Sequence, residues 1–150
     1  MYTGFLHLHN LLRYVVVILL VIAVVKSFAG WFGKKSFTKG DDKVSLFLLI
    51  FSHVQLLLGL ALYFMSPVVE TALNDFGAAM RNEVLRFWGV EHILSMVIAI
   101  AIITVGRIMG KKAKDEVARH RRQAIYFLLA LVLIFASIPW PWSTISRPWF

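Results

Sequence analysis

Cysteine is missing from this 150-residue chain, and charged residues make up only 16% of it. Without cysteine there is neither a disulfide scaffold nor a thiolate metal site. A soluble domain is usually about a quarter charged and close to half apolar. This chain is 59% hydrophobic with a mean hydropathy of +0.75, too apolar for that class and for disorder. It also lacks a phosphate loop in its apolar runs, and no serine is supplied with both a base and an orienting acid. Nucleotide chemistry and triad hydrolysis therefore have no residues to carry them. Acid is scarce as well: eight Asp and Glu stand against sixteen Lys and Arg, for a formal net charge of +8 and a pI near 10.1.

What is present is four apolar runs, each long enough to cross a hydrocarbon core, which takes about 20 helical residues. They cover roughly 5–26, 44–66, 86–109 and 122–139. Each is apolar around its whole circumference, as a membrane helix is and a surface helix is not. Barrel strands would be about half as long and strictly alternating. The expected fold is an all-α membrane protein: a single transmembrane domain over 1–150, built as a four-helix up-and-down bundle of near-continuous helices.

The links carry the charge. The first, Lys26–Lys43, holds Lys26, Lys34, Lys35, Lys39 and Lys43 against Asp41 and Asp42. The third, Arg107–Arg122, holds Arg107, Lys111, Lys112, Lys114, Arg119, Arg121 and Arg122 against Asp115 and Glu116. On the other side Arg13, Arg81, Arg86 and Arg147 balance Glu70, Asp75, Glu83 and Glu91. By the positive-inside rule both termini lie outside. The basic excess is then an orientation signal read by lipid headgroups, and nucleic acid is not an expected partner. In the first span the basic residues follow the apolar run, whereas a signal peptide carries them in front. That span reads as a retained helix. The second link, 67–85, places Val68, Val69, Leu73, Phe76, Met80 and Val84 at helix-like spacing and reads as an amphipathic helix on the outer surface. The tail, from Pro139-Trp-Pro-Trp142 to Pro148-Trp-Phe150, pairs helix-ending proline with tryptophan suited to the headgroup layer.

Polar groups inside a span are expensive and are functional candidates by default. Span one has His7, His9, Asn10 and Arg13, span two has His53 and Gln55, and span three has Glu91 and His92. His120 lies in a basic link and reads as solvated. At about 1.5 Å per residue, His9 lies roughly 25 Å from Lys26 and His92 roughly 22 Å from Arg107, so the two share a depth near the outer face. His53, roughly 15 Å from Lys43, sits nearer the midplane. At about 100° per residue, His9, Asn10 and Arg13 share one sector, with His7 turned away. Arg13 must face protein, so His9 faces the interior with it. His92 shares its face with Ser95, Ala99 and Gly106, which leave room beside the ring.

Short links put spans one and three on a diagonal of the bundle, about 13 Å apart when neighbours are 8–10 Å apart. That gap suits two imidazoles facing across a haem iron better than direct contact or a small shared ion. One b-type haem (haem b) ligated by His9 and His92, with Arg13 paired to a propionate, is the sharp expectation. Purely structural histidines, each making an interhelical hydrogen bond worth about 1 kcal/mol, are the plain alternative. A copper or zinc site on the His7-x-His9 pair is a third, disfavoured because side chains two apart on a helix diverge. His53 is a candidate interior-lining residue for proton or quinone contact, or a ligand to a second haem. Gln55, Gly59, Ser52 and Ser66 read as a helix-packing seam on another face. Glu91 has two readings, orienting His92 or standing at the interface.

The order of these spans resembles one four-helix half of the haem A synthases. The matching stretches are Leu8-His-Asn-Leu-Leu-Arg13, Val54-Gln-Leu-Leu-Leu-Gly-Leu60 and Glu91-His-Ile-Leu94. The resemblance implies axial roles for His9 and His92, and extends to small single-bundle proteins labelled cytochrome b in bacterial genomes. It also implies a bacterial cytoplasmic membrane and a homodimer formed as the two halves associate. Only one half is present and it has no cysteine pair, so haem binding is implied more strongly than synthase activity. The expected role is electron transfer, with quinol or as a small subunit of a respiratory complex. A cofactor-free assembly or scaffold subunit and a haem- or metal-handling protein are the alternatives.

Overall fold

A computed structural model describes residues 1–145. All regular structure among them is helical, and four helices are long and apolar enough to cross a membrane. These are α1 (Tyr2–Phe32), α2 (Lys39–Met65), α6 (His92–Lys111, continuing a helical run that starts at Glu83) and α7 (Glu116–Ser137). Between α2 and α6 lie three short helices, α3 (Pro67–Asn74), α4 (Phe76–Ala79) and α5 (Glu83–Arg86). The long helices run past the expected spans into the links. Local chemistry explains where they start. Thr38 caps α2 by accepting from the Asp41 N–H while the Asp41 carboxylate accepts from the Thr38 N–H at 2.8 Å. Asp115 caps α7 through the Ala118 N–H at 2.7 Å.

In the bundle α1 packs against α2 and α7, and α6 packs against α2 and α7. Spans one and three therefore occupy opposite corners. The core lies toward the end carrying the basic links, around Leu20, Leu48, Ile103 and Phe127, all without solvent exposure. Along α2 and at its C-terminal cap the small residues Ser45, Ser52, Gly59 and Ser66 recur every seventh position, and the first two are fully buried.

Four expectations need correction here. Arg107 is not a free link charge. It is 5% exposed and bridges α6 to α2 through the Asp42 carboxylate at 3.2 Å, the Asp42 carbonyl at 3.0 Å and the Ser45 hydroxyl. His120 is not solvated either: it is buried, with Nε2 3.3 Å from the Ser36 carbonyl and its ring against Gly30 and Phe37. A Cβ on Gly30 would fall 2.3 Å from that ring, so only glycine admits the histidine there. The 67–85 link is not one surface helix. Asp75 and Asn82 each cap a new short helix, and α3 turns inward to bury Val69 and Ala72. Finally, the third span is not a continuous α-helix, because a π turn occupies Phe87–Glu91. Lys26, on α1, pairs with Asp41 at 3.0 Å, so both basic-end links are tied to the bundle. The tail beyond 145, with Arg147, Pro148 and Trp149, lies outside the described residues.

Candidate functional site: a polar-walled cavity

Adjoining the core, on the side away from the basic links, residues of all four long helices line a partly open cavity. Most of the lining is apolar, from residues such as Val17, Leu60, Met96 and Ile134, and α3 contributes Val69. Polar groups enter from two corners. His9, Asn10 and Arg13 come from α1, and His92 comes from the start of α6.

The widened turn before α6 aims His92. Its backbone N–H reaches the Phe87 carbonyl five residues back, and the Tyr63 hydroxyl donates to the Gly89 carbonyl at 2.8 Å. The ring is bracketed by Phe87 and Trp88, with centroids 5.6 and 5.5 Å away. Its Nδ1 lies 3.0 Å from the carbonyl of Ser137. That carbonyl belongs to the last residue of α7, where the helix ends before Pro139 and its terminal carbonyls need outside partners. A carbonyl only accepts, so Nδ1 carries the proton and a neutral ring has its lone pair on Nε2. A carbonyl partner on the second nitrogen is the usual support of a metal-ligating histidine.

His9 stands on the opposite corner. Gln55 donates from Nε2 to the His9 backbone carbonyl at 2.9 Å, tying α2 to α1 at this level. Gly59 makes room for the ring: a Cβ there would lie 3.2 Å from His9 Cε1. One turn along, Arg13 donates to the Tyr14 hydroxyl at 3.0 Å and lies 4.8 Å from that ring's centroid. No carboxylate pairs with it among the described residues.

Buried polar atoms usually find partners. Among the described residues five side-chain atoms have none: His9 Nδ1, Arg13 Nε, Ser52 Oγ, Gln55 Oε1 and His120 Nδ1. The first four belong to residues that line this one cavity.

His9, Arg13 and His92 are thus brought together, and His53 is not. It is exposed on the outward side of α2, with Nδ1 donating to the Leu49 carbonyl at 2.8 Å, and does not line the cavity. The interior-lining reading of His53 is corrected accordingly. The packing reading of Gln55, Gly59, Ser52 and Ser66 is extended: Gln55 and Gly59 join α2 to α1 at His9, and all four also line the cavity. The seven-residue period of Ser52, Gly59 and Ser66 was the available signal. Conversely, the small face of α6 does not flank a ligand. Gly106 sits against Tyr126 of α7, where a Cβ would be 2.6 Å from the tyrosine's own Cβ. Glu91 is a surface residue paired with Arg86 at 2.6 Å. His7 is exposed and turned from the cavity, and no three of His, Cys, Asp and Glu gather around a metal position among the described residues. No family model, curated protein or solved structure matches the chain.

Proposed function

We propose that this chain is a b-type haem-binding membrane protein that carries electrons. The observation behind the reading is the pair of histidines lining one cavity from opposite corners, together with four orphaned polar atoms on its lining residues. The donor set fits the group. His9 and His92 would be the axial ligands, Gly59 leaves space at the His9 ring, and the Ser137 carbonyl holds His92 in the tautomer that ligates through Nε2. Arg13 has no carboxylate partner among the described residues, as suits a guanidinium meant for a haem propionate.

Held by His9 and His92, haem would supply a reversible one-electron couple, which favours electron transfer over oxygen chemistry. The residues around it exclude water and hold charge. The apolar walls keep the dielectric low, and Val69 of α3 is part of them. The charge distribution supports a topology with both termini outside and the basic links in the cytoplasm of a bacterium. Quinol in the bilayer or a respiratory complex would be the electron partner. The motif resemblance to one half of a haem A synthase supports haem binding and says less about oxidation of the haem itself.

A reduced-minus-oxidised visible spectrum tests this on purified wild type beside His9→Ala and His92→Ala. The expected outcome is sharp six-coordinate b-type bands in wild type and their loss in both variants. A colourless wild type from haem-replete cells would instead favour the cofactor-free scaffold, in which the Gln55–His9 and His92–Ser137 bonds serve only to join helices. Carbon monoxide binding to the reduced wild type would point to transient haem handling.

A further inference from the structure

Of the four long helices, α2 buries the smallest share of its membrane-length window. Along its uncovered face Leu46, Ile50, His53, Leu57 and Phe64 follow at steps of four, three, four and seven residues, and all five are exposed. Such a heptad register is what lets one helix lie along another at about 20°, in membranes as in water. His53 occupies the middle of this seam. Its Nδ1 is committed to the Leu49 carbonyl, which can only accept, so Nε2 presents a lone pair outward. A polar nitrogen facing hydrocarbon at that depth is costly unless something polar covers it.

We propose that this face is the seam of a parallel homodimer in which two α2 helices cross at His53. The occupant follows from symmetry. Two copies inserted in the same sense are related by a two-fold axis along the membrane normal, so a residue on the axis meets its own counterpart at its own depth. A second copy therefore brings a polar group to His53 automatically, whereas an unrelated helix would need one placed there by coincidence. With a lone pair on each ring, one water donating both O–H groups closes the contact. The seam depends on the four-span fold and is independent of the haem reading.

The absence of native cysteine makes the test direct. Full-length chain carrying Leu57→Cys or Ile50→Cys is reconstituted in lipid vesicles at low protein density and oxidised. Leu129→Cys, on the exposed face of α7, serves as the reference. Both α2 variants are expected to form disulfide-linked dimer well above the reference. Adding His53→Leu to Leu57→Cys is expected to weaken association about fivefold, the scale of one interhelical hydrogen bond. The circular dichroism and thermal unfolding of His53→Leu should match wild type, which separates loss of the seam from loss of the fold. Equal cross-linking at all three positions would overturn the proposal. So would α2 cross-linking that His53→Leu leaves unchanged.

Discussion

At the scale of single residues, the site depends as much on what is small as on what ligates. Gly59 is the sharpest case, because its missing side chain is the space His9 uses. Under the haem proposal, Gly59→Leu is expected to displace the ring and reduce haem retention on the order of tenfold, the equivalent of an overpacking cost of about 1–3 kcal/mol. Gly59→Ala should do less. Haem-to-protein ratio after detergent washing measures the loss, with circular dichroism confirming that the helices persist. That His9 and His92 would face one interior space was legible in the sequence, because depth and angular position follow from counting along a helix. Gln55 and Ser52 were not, because helical phase alone does not tell which neighbour a face meets. His120 and Arg107 misled for a related reason: a charge near the end of an apolar run reads as solvated until a glycine or a carboxylate on another helix turns up beside it.

At the scale of elements, the long helices follow from hydropathy and caps, while their interruptions follow from contacts. The π turn at Phe87–Glu91 has no strong local signature, and Gly89 is the one hint. That glycine lies against α3, where an added Cβ would come within 2.9 Å of the Ala72 Cβ, and its carbonyl takes the Tyr63 hydroxyl. The α6–α7 pair rests on a similar close approach. A Cβ on Gly106 would meet the Cβ of Tyr126 at 2.6 Å, and no flexible side-chain end is available there to give way. Gly106→Val should therefore push the helices apart and destabilise the fold by about 1–3 kcal/mol. Gly40→Ala, in the first turn of α2, would meet only Thr38 Oγ1 at 3.4 Å and should be near neutral. Unfolding in a mixed-micelle denaturant series compares the two.

At the scale of the whole molecule, the basic end is where the bundle is joined. Arg107 links α6 to α2, Lys26 of α1 reaches Asp41 of α2, and His120 of α7 fits against Gly30 of α1. The Arg107–Asp42 pair is lopsided: the guanidinium is buried and the carboxylate half exposed. Asp42→Ala leaves a buried cation without its counter-charge, at a cost of about 3 kcal/mol. Arg107→Leu leaves a carboxylate that water and headgroups can still reach, and should cost less. Thermal unfolding of both variants in one detergent gives the order, and the reverse order would contradict the burial.

Joined through buried charged and polar groups at one end, and hollowed at the other with only single hydrogen bonds between neighbours, the four helices have the mechanics of tongs. Local opening is easiest where buried contacts are few. Amide hydrogen exchange should therefore run as a gradient along every helix, slowest around Leu20, Leu48, Ile103 and Phe127 and fastest beside the cavity. A ligand of the kind proposed would then enter by breaking the single hydrogen bonds at that end, Gln55 to His9 and His92 to Ser137, with the basic end as the fulcrum.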